Sequence, residues 1–136
     1  MILKRIKRKV LTIFCLFFFI TPLQASEWLK VVEANSGSYW IKTETVLRAA
    51  SKLSVQQLTD FKVRQSTGEK SSISFLEINC SNSTLRETRY LTYSENKASG
   101  RLLSDDDLIK FDLAKWRKAQ KNTADGILVE MMCKHF

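Results

Sequence analysis

The sequence predicts an α+β fold: a mostly antiparallel β-sheet of about five to six strands, with a C-terminal α-helix tethered by a disulfide. Three observations carry this. Short runs of alternating or β-rich residues follow one another, separated by polar turns. A capped apolar run ends the chain. Two cysteines, Cys80 and Cys133, stand one in a strand and one in that last run.

The N-terminus comes first because it sets the compartment. Lys4, Arg5, Lys7, Arg8 and Lys9 precede an apolar stretch from Leu11 to Ile20, then Pro22 and the small residue Ala25. This is the layout of a secretory signal peptide over residues 1–25, with cleavage expected after Ala25 and one mature domain over 26–136. About ten apolar residues rise only about 15 Å as a helix, half of a hydrocarbon core, which favours a cleaved signal over an anchor. The chain is therefore expected to be exported, to the periplasm or cell envelope. It is not expected to be lipid-anchored through Cys15: Thr12, Ile13 and Phe14 before it are not small, and the apolar run continues past it.

Removing the signal changes the charge. The chain has 22 Lys and Arg against 14 Asp and Glu. Losing five cations lowers the net charge from +8 to +3, which gives no case for nucleic-acid binding. What remains is one small domain without proline, whose stability margin is thin.

In the mature chain Trp28 to Glu33 reads as a first strand. Asn35 to Ser38 supplies a turn, with Gly37 free for positive φ, and Tyr39 to Thr43 a second short strand. Thr45 to Lys52 reads as a helical turn or an irregular crossing. Leu53 to Val63 alternates, with Leu53, Val55, Phe61 and Val63 expected on one face; Ser72 to Cys80 is its partner across a glycine-containing turn. After Asn82-Ser83, Thr84 to Tyr93 is rich in Thr, Tyr and Leu. Asp105, Asp106 and Asp107 after Ser104 suit a helix start, yet Ile109, Phe111 and Leu113 alternate as in a strand; the segment to Lys118 fits either. Thr123 caps the last segment, Asp125 lies in its first turn, and the run Ile127 to Cys133, apolar but for Glu130, reads as a buried helix.

Cys80 and Cys133 are an even pair in a compartment where disulfides persist. A bond between them closes a loop of about 53 residues, which chain entropy values at roughly 4 kcal/mol. Two unpaired thiols or a metal pair are the alternatives; with His135 as the only histidine, a zinc site falls short of four ligands.

The order of landmarks is similar to the surface-adhesin protein E family of Gram-negative bacteria, over nearly the whole mature chain. Trp28, Tyr39-Trp40-Ile41 with Thr45-Val46, Leu58-Thr59-Asp60-Phe61 and Glu77-Ile78-Asn79-Cys80 stand in its sequence, followed by Arg86, Tyr93-Ser94, Gly100, Trp116 and Cys133. Lys42 departs from the family's acid or amide, and Gln120 to Thr123 replaces its proline-glycine turn. The resemblance implies the same sheet and tethered helix, an envelope location and a homodimer paired through the sheet. It also implies an unknown protein or envelope component as partner, with host matrix or plasma proteins as the adhesin precedent.

No catalytic, metal or cofactor constellation stands out. The lone His135 is second from the end, the serines lack a neighbouring base, and the three consecutive aspartates lack the alternate spacing of a calcium loop. Tyr39, Trp40 and Trp116, with Lys115, Arg117 and Lys118, form the candidate binding surface; Lys121 extends the basic cluster. Tyr39 and Trp40 are strand neighbours and point to opposite faces. The expected function is a non-catalytic exported binding module, adhesin-like, with a periplasmic accessory or structural protein as the alternative.

Overall fold

A single sheet winds up and down in chain order, so each of the six long strands pairs with its sequence neighbour. The computed structural model describes residues 27–136. The signal expected over 1–25, and Cys15 with it, lie outside the described residues. The strands are β1 (Trp28–Glu33), β2 (Gly37–Ala49), β3 (Lys52–Phe61), β4 (Ser71–Asn79), β5 (Thr84–Glu95), β6 (Ser99–Asp107) and β7 (Arg117–Lys118); α1 (Ala124–His135) closes the chain. The order is β1-β2-β3-β4-β5-β6, antiparallel throughout, with the two-residue β7 added to β5.

The helix begins where the sequence places it. The Thr123 side chain accepts from the Gly126 backbone N–H, with Asp125 in the first turn and Lys134 and His135 in the last, both ends matched to the helix dipole. It buries Leu128, Val129 and Met132. These pack with Ile41, Leu53, Val55, Leu76, Ile78 and Leu85 from one face of the sheet. Register explains that grouping: Leu53 stands opposite Ile78, and Ile78 opposite Leu85, so their side chains share a face. The Cys80–Cys133 disulfide joins the end of β4 to the helix.

Several expectations give way. Thr45 to Lys52 is no helical turn: β2 runs on to Ala49 past an irregularity between Lys42 and Leu47, and a tight turn follows with Ala50 at φ 54°. Gly37 does not adopt positive φ. Glycine is needed there because a Cβ would overlap the Asp60 carbonyl oxygen. Val63 lies beyond β3 and is exposed rather than facing the core. Asp105 to Asp107 do not start a helix; they end β6, whose hairpin with β5 satisfies their backbone groups. Ile109 to Leu113 form neither helix nor strand but a turn outside the sheet.

Candidate binding face

The strand parity that sends Leu53, Val55, Leu76 and Ile78 under the helix sends their neighbours to the other side. One row of directly opposed residues crosses six strands on that helix-free face: Lys30, Trp40, Leu58, Ile73, Leu91 and Asp105. A second row beside it carries Lys42, Gln56, Phe75, Arg89 and Asp107. The centre is thus apolar and the ends are charged. Leu58 is only 4% exposed, while Trp40, Ile73, Phe75 and Leu91 are half-buried.

Three cation–aromatic stacks organise the face. The Lys30 ammonium lies 5.0 Å from the Trp40 ring centre, the Arg89 guanidinium 5.6 Å from Phe75, and the Arg86 guanidinium 4.9 Å from Trp116. Carboxylates fix both arginines. Arg89 Nε and Nη2 donate to the two Asp105 carboxylate oxygens at 2.7 and 2.6 Å, a bidentate fork. Arg86 Nε donates to Glu77 Oε2 at 2.6 Å. Hydrogen bonding from Arg89 holds the Asp105 carboxyl below its ordinary range. The Arg89–Asp105 pair is solvent-exposed and the Arg86–Glu77 pair only partly buried, so their value lies in holding the guanidinium planes over the rings more than in stability.

The residues singled out from sequence separate. Trp40 lies on this face, with its indole N–H donating to Ser38 Oγ at 3.0 Å. Trp116 reaches it through Arg86. Tyr39 points the other way, toward the helix side, opposite Val32 and Thr59. The basic cluster does not act as one patch: Arg117 turns to Asp125 at the start of the helix, Lys118 donates to the Asn82 carbonyl, and Lys115 pairs with Asp112. Phe75, Arg86 and Arg89 escaped sequence reasoning. The signal for them was the parity of β4, which places Phe75 and Glu77 on the face opposite Leu76 and Ile78.

The helix side turns polar beyond the helix. Gln57, Thr59, Ser72, Ser74 and Thr92 are buried there, and Thr92 Oγ1 lies 2.8 Å from Ser104 Oγ. Burial raises the Glu87 carboxyl above its ordinary value, with a Ser74 hydrogen bond opposing it, and raises the Tyr90 hydroxyl in the same way. A cleft of about 700 Å³ between the helix and residues 118–122 is lined by Cys80, Cys133, Lys118, Gln120, Asn122 and Glu130. His135 is exposed at the end of the helix. Among the described residues no group of acids, histidines and cysteines is placed to hold a metal ion, and no helix is long and apolar enough to cross a membrane.

Comparison with known proteins decides the family. The family model for surface-adhesin protein E matches residues 28–134. This chain belongs to the surface-adhesin protein E family. Solved structures agree in fold. Haemophilus influenzae protein E has a TM-score of 0.62 at 13% identity, covering 85% of this chain and 89% of that one. Its second crystal form gives 0.60 at 13%, covering 85% and 93%. Protein E from non-typeable Haemophilus influenzae gives 0.57 at 12%, covering 84% and 79%. Identities this low establish shared architecture and carry no contact residues across. None of the curated protein sequences matches the chain. The family makes this a surface-adhesin-like protein, and the tethered helix expected from sequence is present in it.

Proposed function

We propose that this protein is a non-catalytic, exported binding module of the cell envelope whose helix-free sheet face docks a protein partner, with host matrix or plasma proteins as the class. The observation that carries the reading is the apolar row on the helix-free face, where half-buried Trp40, Ile73 and Leu91 flank the buried Leu58. Phe75 lies beside it, and guanidinium groups are already fixed over aromatic rings. Aromatics and arginines of this kind dominate binding energy at protein interfaces, and groups held in place before contact lose little entropy on docking. Pairing of two copies through the edge of β1, which has no strand beside it among the described residues, belongs to the same proposal.

Two measurements test it. Protease shaving of intact cells, with disrupted cells as control, reports display: cleavage on intact cells supports an adhesin. Cleavage only after disruption assigns the protein to the alternative, a periplasmic accessory role. The exported protein is then assayed against immobilised matrix and plasma proteins beside Trp40→Ala and Arg89→Ala. Each substitution is expected to weaken binding about tenfold or more. Binding unchanged in both variants, with folding intact, removes this face from the reading.

A further inference from the structure

We propose that the segment between β6 and β7 is a membrane-contact loop that seats the protein on a bilayer carrying anionic phospholipid. Its placement is unusual for an edge. The Leu108 N–H still bonds to the Thr88 carbonyl of β5 at 3.0 Å, and Arg117 and Lys118 rejoin β5 opposite Leu85 and Thr84. Between these points residues 109–116 leave the sheet. Ten large apolar side chains are exposed among the described residues, and four of them lie within these eight positions. They are Ile109 at 57%, Phe111 and Leu113 at 63%, and Trp116 at 39% exposure.

The loop is preformed. Asp112 N–H bonds to the Ile109 carbonyl at 3.0 Å, while Leu113 and Ala114 N–H groups both bond to the Leu108 carbonyl at 2.7 and 3.0 Å. Lys115 Nζ and Asp112 Oδ1 close it at 2.8 Å. With these bonds holding its turn, the loop presents apolar side chains on a backbone that is already shaped before contact.

Charge identifies the surface it fits. Lys110 and Lys121 stand among or just beyond the apolar residues, while Lys115, Arg117 and Lys118 are held by Asp112, Asp125 and the Asn82 carbonyl; Asp112 is the single acid between positions 108 and 121. Asp105, Asp106 and Asp107 lie back on β6, where Asp105 is taken by Arg89. Lysine interleaved with exposed Ile, Phe and Leu is a poor composition for a protein interface core, from which lysine is depleted. A bilayer takes both kinds of group: apolar side chains enter the acyl boundary, Trp sits at the headgroup level, and lysine stems reach back to phosphates.

The test uses the exported protein with its disulfide intact and vesicles of phosphatidylcholine, with or without phosphatidylglycerol. Cosedimentation is expected with phosphatidylglycerol and at least about tenfold less without it. A Trp28→Phe, Trp40→Phe background leaves Trp116 as the reporter, and its emission is expected to shift to the blue on binding. The triple change Ile109→Ser, Phe111→Ser, Leu113→Ser should abolish cosedimentation. Lys110→Gln and Lys115→Gln should each weaken it by about fivefold. All five substitutions alter exposed side chains, so an unchanged melting temperature verifies the fold. Absence of binding to phosphatidylglycerol vesicles overturns the proposal, as does full binding by the triple variant. Loop-dependent self-association without vesicle binding also overturns it, by assigning the loop to a second copy.

Discussion

Opening the Cys80–Cys133 bond should destabilise the domain by about 4 kcal/mol. The bond closes a loop with a sequence separation of 53, and the loop-entropy relation converts that length to about 14 cal/mol/K, or about 4 kcal/mol at 25 °C. All of β5, β6, β7 and α1 lies inside or at the end of this loop. The helix has only 12 residues, too few to hold its shape alone in water, and its purchase on the sheet rests on Leu128, Val129 and Met132. For a domain of about 110 residues, 4 kcal/mol corresponds to roughly 15 to 20 °C in melting temperature. The assay is thermal unfolding by circular dichroism of the exported protein beside Cys80→Ser/Cys133→Ser. A drop of less than about 5 °C in the double variant would refute the argument. It would mean that the denatured chain is already restricted, or that the helix docks through its apolar contacts alone.

Three further outcomes follow from local structure. The β5–β6 turn holds Lys97 and Ala98 both at positive φ, so Ala98→Gly should raise stability by about 1 kcal/mol, read as a melting temperature about 4 °C higher. Gly126 has no room for a Cβ, which would overlap the Gln120 carbonyl oxygen. Gly126→Ala is therefore expected to cost about 1 to 3 kcal/mol in urea unfolding, and a neutral result would show that the 118–122 segment gives way. Glu87 carries a carboxyl raised by burial, so the folded state holds its proton to higher pH than the unfolded chain does. Stability should accordingly fall as pH rises from the unfolded value through the raised one; Glu87→Gln should flatten that fall and melt higher at neutral pH, and a slope equal to wild type would count against it.

Much of the fold was legible because its signals are local. Thr123 and Asp125 mark the helix start, and alternation in Leu53 to Asp60 matches β3. The disulfide was legible by arithmetic, since only two cysteines follow residue 25. The β5–β6 hairpin was not, because its turn lacks the Asn-Gly or Asp-Gly that usually supplies two positive φ values. Distant groups hold it instead. Asp60 Oδ1 accepts from Asn96 Nδ2 and the Lys97 N–H, both at 2.8 Å, and Ser71 Oγ accepts from the Ala98 N–H at 2.9 Å. With that hairpin unseen, the three aspartates looked like a helix start.

The candidate face divides along the same line. Sequence alone determined that Tyr39 and Trp40 part company, because adjacent strand residues face opposite ways whatever they pack against. It also determined the terminal helix and the cysteine pair. Only the tertiary structure decided which of the two aromatics shares the helix side of the sheet and which lies on the helix-free face. Only it joined Trp116 to Arg86 and Phe75 to Arg89. The reason is register: parity is a property of one strand, whereas the identity of the covered face depends on how six strands align and where the disulfide lands the helix. The disulfide joins residues 53 positions apart and the helix reaches back to β1 at the other end of the domain, and no local pattern in the chain encodes such contacts.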